Sequence, residues 1–328
     1  MTKLGTNGPE IFPLALGCMG MGAGSWYGTS DDAESIATIH AALERGVNVL
    51  DTGDFYGMGR NEMLIGKALA GGKRDKALLS VKFGGQIGPD GQVLGADMSP
   101  AALKTSLAYS LARLGVDHVD IYRPARLDPK VPIEETIGAI ADMVKAGYVR
   151  HVALSEVGPE TIRRAAKVHP IVDLQIEYSL VSRGPEAKIF PVLKEEGIAV
   201  TAYGVLARGL LTGTKPSPTD FRAHMPRFQS AAENQPLVEA LARVAARHGV
   251  TPAQLCIAWA LAKGKAAGVT VVPTMGMRTR KHLAETLAAL DVKLEASDLA
   301  ALEDAVPAAA VVGTRYPAAA MPSLDSER

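Results

Sequence analysis

The chain has 328 residues, 47% of them apolar, and its 35 basic residues balance its 35 acidic residues. This balance leaves no excess of positive charge of the kind that binds nucleic acid or a membrane surface. No apolar run is long enough to span a bilayer. Cys18 and Cys256 lie in apolar contexts without a paired pattern, and the first residues lack a secretory signal. We therefore expect a cytoplasmic globular protein that binds neither nucleic acid nor membrane.

Eight short apolar, β-branched runs predict strands, and a helical pattern follows each of them. In chain order the predicted strands are Leu14–Gly17, Val47–Asp51, Ala77–Lys82, His118–Tyr122, His151–Ser155, Ile171–Ile176, Ile198–Tyr203 and Val269–Pro273. Eight such units with apolar strands are typical of a closed parallel barrel. We predict an α/β protein with a (β/α)8 TIM barrel, in which residues 1–328 form one domain.

The sequence also predicts where the helices between these strands begin and end. Ser30-Asp31-Asp32 predicts the start of the first helix and Ser99-Pro100 that of a later one, because both carry N-capping side chains. Glycines such as Gly115 and Gly197 stand where a helix stops and a strand begins, since glycine readily adopts the left-handed conformation that ends a helix.

Several segments lie outside the eight units. Residues 1–12 contain Asn7-Gly8 and could form a small hairpin before the barrel. Long connections run from Phe83 to Asp97 and from Gly209 to about Asn234, both on the side where barrel enzymes place their chemistry. An extra helix precedes an irregular tail, residues 306–328. We expect part of this tail to cover the barrel mouth and its last residues to be loose.

Three side chains near the ends of the second and third predicted strands could form a proton donor. Asp51 ends one strand, Tyr56 lies in the loop after it, and Lys82 ends the next. A nearby ammonium lowers the pKa of a tyrosine, and a carboxylate holds that ammonium charged. The alternative is an exposed loop tyrosine and an unrelated Asp–Lys pair, which spacing alone slightly favours.

Longer motifs resolve this choice, because the chain resembles the aldo-keto reductase superfamily over almost its whole length. The resemblance is carried by Leu16-Gly17-Cys18-Met19-Gly20-Met21, Asp51-Thr52-Gly53 through Tyr56-Gly57, Arg113-Leu114-Gly115-Val116-Asp117 and Asp120-Ile121-Tyr122. Gln175-Ile176-Glu177-Tyr178-Ser179 and Arg208-Gly209-Leu210-Leu211-Thr212-Gly213 match its branch of long-chain bacterial, plant and fungal oxidoreductases. The resemblance implies an NADP(H)-dependent enzyme acting on a small-molecule carbonyl substrate, in which Tyr56 protonates the carbonyl oxygen and Lys82 and Asp51 tune Tyr56.

The family's catalytic histidine is absent from the expected place. Where the family has tyrosine-x-glutamine-histidine-arginine, this chain has Tyr122-Arg123-Pro124-Ala125-Arg126, so Ala125 replaces the histidine. Alanine cannot donate a hydrogen bond to the substrate carbonyl. Three explanations are open: a water or Arg123 substitutes, the substrate brings its own polar group, or catalysis is weak.

The resemblance also implies a set of cofactor contacts. Ser155, Glu156 and Gln175 match residues that contact the nicotinamide carboxamide, and Tyr203 matches the aromatic that stacks on its ring. The remaining positions are Leu206, Arg208 and Gly209 in the pyrophosphate stretch and Gly276, Arg278, Arg280, His282 and Glu285 in the adenosine-phosphate loop. Because arginines there suit a 2′-phosphate, we expect NADPH to be preferred over NADH.

Aromatic and small residues near the predicted mouth could line a substrate pocket, although packing within the βα loops explains any one of them about as well. These residues are Trp26, Tyr27, Phe83 and Ala125. The histidines show no metal-ligand spacing, so no metal is expected. The sequence leaves a homo-oligomer possible. It also leaves open an NAD(P)-dependent dehydrogenase of sugars or of a pyridoxine-type alcohol, and a cofactor-binding regulatory subunit with little turnover.

Overall fold

A closed barrel of eight parallel strands forms the centre of the protein, whose computed structural model describes residues 1–22 and 26–328. The strands outside the barrel pair in two small antiparallel sheets, β1 with β2 and β6 with β7. In chain order the strands are β1 (Thr2–Lys3), β2 (Glu10–Ile11), β3 (Ala15–Gly17), β4 (Val49–Gly53), β5 (Leu78–Phe83), β6 (Gly85–Ile87), β7 (Val93–Ala96), β8 (Val119–Pro124), β9 (Val149–Ser155), β10 (Ile171–Glu177), β11 (Ala199–Tyr203) and β12 (Val271–Gly276). The order around the barrel is β3-β4-β5-β8-β9-β10-β11-β12, and β12 pairs with β3 to close it.

Helices surround the barrel, so both faces of each strand are covered and the strands read as continuous apolar runs. The helices are α1 (Asp32–Glu44), α2 (Arg60–Leu69), α3 (Pro100–Leu114), α4 (Ile133–Lys145), α5 (Pro159–Val168), α6 (Pro185–Lys188), α7 (Phe190–Glu196), α8 (Pro226–Gln229), α9 (Ala231–Arg247), α10 (Pro252–Ala267), α11 (Arg280–Leu287) and α12 (Ala296–Ala305). Asp31 caps α1 and Ser99 caps α3 through side-chain hydrogen bonds, at the predicted starts. In the part of the chain that the structure describes, no helix is both long and apolar enough to cross a membrane.

The predicted (β/α)8 barrel is confirmed, and each of the eight predicted strands overlaps an observed one, with ends that agree within three residues. The long connection after β5 differs from prediction because it folds into the β6–β7 hairpin. Neither of its strands carries the apolar run that marked the barrel strands, and both are largely exposed. The second long connection ends earlier than expected, since α9 already begins at Ala231.

The N-terminal hairpin closes the floor of the barrel. Thr2 and Lys3 pair with Ile11 and Glu10, as the predicted hairpin requires. Its buried side chains, Leu4 and Ile11, pack with a layer of aliphatic residues contributed by the barrel strands. That layer consists of Ala15, Val49, Ile121, Ala153, Val172, Ala199 and Val272, with Leu78 against it. The polar interior of the barrel therefore lies on an apolar base.

Gly66 allows α2 to approach the end of α3 closely. A Cβ added at Gly66 would lie 2.7 Å from the backbone oxygen of Leu114, whereas one added at Gly138 of α4 would meet nothing within 4 Å. We expect Gly66→Ala to lower the free energy of unfolding by about 1–3 kcal/mol, because the helices must separate. Gly138→Ala should raise it by about 0.5–1 kcal/mol through the lower entropy of its unfolded chain. Urea unfolding of both variants measures this, and equal stabilities would contradict the close approach.

Candidate active site

Asp51 and Lys82 form a buried ion pair at the open end of the barrel. They project from neighbouring strands β4 and β5, and Lys82 Nζ lies 2.5 Å from Asp51 Oδ1. The second oxygen of Asp51 accepts hydrogen bonds from Ser80 Oγ at 3.1 Å and from Gln175 Nε2 at 2.8 Å. Both oxygens of this carboxylate are therefore occupied, and Lys82 is fixed in direction.

Tyr56 lies against this pair. A 3-10 turn, Tyr56–Gly59, follows β4 and turns the tyrosine inward, leaving it 8% exposed. Lys82 Nζ is 5.1 Å from the centre of its ring, and the rings of Phe55 and Trp26 contact it at 4.9 and 6.0 Å. An exposed loop tyrosine beside an unrelated Asp–Lys pair does not fit this geometry. The three residues form one cluster.

The surroundings keep the Tyr56 hydroxyl protonated. Burial raises its pKa well above the ordinary value, the Asp51 charge raises it further, and Arg126 opposes both. For Lys82, burial lowers the pKa and Asp51 opposes the shift. The lowering of the Tyr56 pKa that we predicted is therefore outweighed by desolvation. In this structure Tyr56 retains its proton at neutral pH.

A chain of polar side chains continues from Asp51 into the barrel. Arg123 donates to Ser80 Oγ and to Asp173 Oδ2, at 2.7 Å in each case. Thr201 Oγ1 also donates to Asp173 Oδ2. Arg123 is fully buried, and its guanidinium is engaged below the mouth. It is therefore not placed to take over the role of the missing histidine at Ala125.

The C-terminal tail covers the mouth and binds Glu156. Arg315 donates to both oxygens of Glu156, at 2.9 and 2.7 Å, and Ser326 Oγ donates at 2.6 Å. Tyr203 donates its hydroxyl to the same carboxylate at 2.7 Å. Asp325 Oδ2 accepts from the Gly158 backbone at 2.8 Å, so the expectation of loose last residues is wrong. With both oxygens engaged, Glu156 has a structural partner in the tail in place of the predicted carboxamide contact.

Tyr316 occupies the centre of the tail's contacts with the mouth. Its hydroxyl lies 2.9 Å from that of Tyr203 and accepts from Arg126 at 3.2 Å. The guanidinium of Arg208 lies 4.5 Å from its ring centre and pairs with Glu177 at 2.9 Å. Sequence reasoning placed the tail over the mouth but identified neither Arg315 nor Tyr316, because no motif marks them.

The other predicted cofactor residues lie on two sides of the mouth. Ser155 and Gln175 are paired in register on β9 and β10, and Tyr203 ends β11 beside them. Leu206 and Gly209 lie with Arg208 in the turn after β11. Gly276 ends β12, Arg278 follows it, and Arg280, His282 and Glu285 belong to α11. The structure thus places two groups of these residues at the carboxyl ends of the strands, the end where barrel enzymes bind their ligands.

Arg278 and Arg280 already have partners. Arg278 donates to the backbone oxygens of Tyr27 and Thr29, both at 3.2 Å. Arg280 is 63% exposed in its side chain and pairs with Glu34 of α1 at 2.8 Å. Glu34 therefore competes with any anion that approaches Arg280.

The predicted pocket residues divide into two groups. Trp26 contacts Tyr56 and Phe221, Tyr27 stacks edge-on against Phe221, and Ala125 is 5% exposed at the end of β8. Phe83 instead stacks on Tyr122 at 4.5 Å within the core and has no exposed surface. Phe83 therefore contributes to packing, contrary to its predicted place in the pocket.

Backbone conformation marks the same end of the barrel. Among the described residues, the non-glycine positions with positive φ are Met58, Glu156, Ala207 and Arg208, at 48° to 58°. All four follow barrel strands at the mouth, in the loops after β4, β9 and β11. Such conformations are costly and concentrate at functional sites. This signal is independent of side-chain chemistry and is not visible in the sequence.

Comparison with known proteins gives the family of this chain. Residues 13–307 match the aldo/keto reductase family. The chain belongs to that family. This aldo/keto reductase is 39% identical over 323 residues to the probable aldo-keto reductase 1 of Glycine max, covering 96% of this chain and 91% of that one.

Solved structures of aldo-keto reductases are also similar to this chain. A glycerol dehydrogenase from Gluconobacter oxydans has a TM-score of 0.81 at 27% identity, over 92% of this chain and 93% of its own. The holo form of an aldo-keto reductase from Bacillus halodurans has a TM-score of 0.76 at 27% identity, over 94% and 96%. The family makes this aldo/keto reductase an oxidoreductase of carbonyl compounds that uses a nicotinamide cofactor.

The Glu156–Arg315 pair predicts a pH-dependent stability. Burial alone would raise the Glu156 pKa, but the bonds and charge of Arg315 outweigh it and lower the pKa to about 2. A carboxylate with a lowered pKa stabilises the folded state above its unfolded pKa, and this contribution is lost as the pH falls toward 2. Glu156→Gln should therefore cost about 3 kcal/mol of unfolding free energy at pH 7, and less with each step from pH 5 to pH 3.

Glu134 provides the control. Arg164 likewise lowers its pKa to about 2, but this pair is on the surface. Glu134→Gln should barely change stability, because exposed ion pairs contribute little. Urea unfolding at several pH values compares the two variants. A Glu156→Gln effect that stays constant from pH 7 to pH 3 would contradict the role of the charged pair.

Proposed function

We propose that this protein is an NADPH-dependent reductase of aldehydes or ketones in which Tyr56 is the general acid. The observation that supports this most directly is the buried Asp51–Lys82 pair under the Tyr56 ring at the barrel mouth. A tyrosine, a fixed ammonium and a carboxylate in one partly dry cluster are the groups needed to protonate a carbonyl oxygen.

The side chains around the mouth fit a dinucleotide at both ends. Arg278 and Arg280 offer guanidinium groups for phosphate where α11 begins, and helix N-termini favour anions. Ser155 and Gln175 offer hydrogen-bonding groups for the carboxamide, and Tyr203 offers an aromatic face. Glu156 is left out of this set because the tail occupies it. When bound, the reduced nicotinamide supplies a hydride to the carbonyl carbon.

Each residue of the cluster has its own part in the proton transfer. The Tyr56 hydroxyl donates its proton to the carbonyl oxygen, and the phenolate that remains is stabilised by the Lys82 ammonium. Asp51 holds Lys82 in place, while Ser80 and Gln175 hold Asp51. Ala125 leaves the carbonyl without the imidazole donor of related enzymes, so substrate orientation depends on other groups.

Replacing Tyr56 tests this assignment. Tyr56→Phe should lower the rate of NADPH oxidation at least about 100-fold with aromatic, aliphatic and dicarbonyl substrates, because the proton donor is lost. The NADPH dissociation constant, followed by fluorescence, should stay within about threefold. Tyr109→Phe on α3 is the matched control, since Tyr109 is exposed and should leave both quantities unchanged. Full turnover in Tyr56→Phe would rule out this general acid.

The preference for NADPH rests on Arg280 and is opposed by Glu34. Arg280→Met should weaken NADPH binding by about 3- to 10-fold, because one cation beside the 2′-phosphate is removed. Glu34→Gln should strengthen NADPH binding by a similar factor, because the competing carboxylate is gone. NADH lacks the 2′-phosphate and serves as the matched ligand, with a dissociation constant that stays unchanged in both variants. Equal changes in the dissociation constants of NADPH and NADH would show that the 2′-phosphate does not bind beside Arg280.

Oxidation of an alcohol is the second candidate function. Its support is the similarity to the glycerol dehydrogenase of Gluconobacter oxydans, with a TM-score of 0.81. Tyr56 would then have to release its own proton to solvent and act as a phenolate that accepts the alcohol proton. Assays with polyols and NADP+ distinguish the favoured direction. Tight NADPH binding without turnover in either direction would instead favour a cofactor-binding regulatory subunit.

A further inference from the structure

Arg126 lies next to the position that lacks the histidine. The residue follows Ala125 directly, and its Nη1 donates back to the Ala125 backbone oxygen at 2.6 Å. Ala125 is 5% exposed and Arg126 is half-buried. The loop after β8 therefore presents a small side chain and a guanidinium side by side at the barrel mouth.

Among the described residues, no carboxylate contacts the guanidinium of Arg126, although the charge of Glu156 attracts it at longer range. Within residues 1–22 and 26–328, no Asp or Glu oxygen pairs with it within 4 Å, whereas Arg208 pairs with Glu177 and Arg315 with Glu156. Of the five N–H groups of its guanidinium, one bonds the Ala125 oxygen and one the Tyr316 hydroxyl. A half-buried cation with unused donors is the arrangement that an anionic ligand completes.

The backbone places this cation near the proposed proton donor, because the Ala125 N–H donates to the Phe83 oxygen at 2.9 Å, one residue after Lys82. Arg126 lies 5.8 Å from the ring centre of Tyr316, whose hydroxyl contacts that of Tyr203. Arg126 also lowers the pKa of Tyr56 against burial and Asp51. A substrate group bound to Arg126 would thus lie at the same end of the barrel as Tyr56, beside Ala125.

We propose that Arg126 binds an anionic group of the substrate, and that this enzyme acts on carbonyl compounds bearing a carboxylate, such as 2-oxo acids. The inference rests on the carbonyl reduction proposed above. A planar guanidinium matches a carboxylate in two-point geometry. A phosphate dianion would call for a second free cation, but Arg208 and Arg315 are already paired. The ion pair would orient the carbonyl toward Tyr56, the task that the missing histidine leaves undone.

The kinetic test compares one substrate with and without its charge. We would measure kcat/KM for phenylglyoxylate and for its methyl ester with the wild type, Arg126→Met and Arg126→Lys. In Arg126→Met we expect kcat/KM for the acid to fall about 10- to 100-fold, because the acid loses a charged partner. For the ester, kcat/KM should change less than about threefold. Arg126→Lys should recover part of the acid's loss. Arg163→Met, which removes an exposed arginine of α5 paired with Glu195, is the control for charge loss.

The binding test does not depend on turnover. Trp26 lies 6.0 Å from the Tyr56 ring, whereas Trp259, the second tryptophan, is buried and stacked on Tyr178. Quenching of Trp26 fluorescence by benzoate should saturate in the wild type and require about 10-fold more benzoate in Arg126→Met. Benzamide, the neutral analogue, should give the same curve in both. Arg126→Gln keeps N–H donors without the charge, and it replaces Arg126→Met should that variant fail to fold.

The outcomes separate the two proposals. Parallel losses for acid and ester, with benzoate binding unchanged, would overturn the anion site and leave Arg126 a structural residue. Arg126-dependent benzoate binding in a wild type that reduces neither compound would support the anion site and reject carbonyl reduction. A selective loss of kcat/KM for the acid in Arg126→Met, together with weaker benzoate binding, supports both the anion site and carbonyl reduction.

Discussion

The buried carboxylate of Asp51 is the constraint on which the site depends. A charge removed from water must be fully bonded, and Asp51 meets this requirement with Lys82, Ser80 and Gln175 from β5 and β10. The bond from Gln175 joins β10 to β4, two strands that are not neighbours in the barrel. Further along, Arg123 links Ser80 to Asp173, so the interior is a polar network on an apolar floor. The position of Lys82, and hence the environment of Tyr56, follows from this network.

Most of the fold could be predicted from the sequence because its signals are local. Apolar runs of four to six residues mark the strands, glycines and caps such as Ser99 mark helix ends, and eight βα units imply closure. The β6–β7 hairpin escaped prediction because its exposed strands bury little apolar surface. The predicted position of Phe83 in the pocket was wrong for a related reason. Its place at a strand end did not reveal that its ring turns toward Tyr122.

The candidate site was predictable where strand ends or the family resemblance marked it. Asp51 and Lys82 follow from their places at strand ends, whereas Ser155 and Gln175 were expected from the resemblance, and the parallel register aligns them. The partner of Glu156 does not follow from any local pattern, because Arg315 is 159 residues away in an irregular, proline-spaced tail. Nor could the sequence show that Arg126 lacks a carboxylate, since that depends on where every acidic side chain lies.

The tail contacts have a consequence for the order of folding. Tyr316 reaches Tyr203 across 113 residues and Arg126 across 190, so docking closes very long loops for few bonds. The tail binds to Glu156, which follows β9, and to Tyr203 of β11. These two residues come together only when β10 lies between their strands. Strands β9, β10 and β11 must therefore pair before the tail can dock. We expect two stages, with native secondary structure complete before the mouth acquires its final shape.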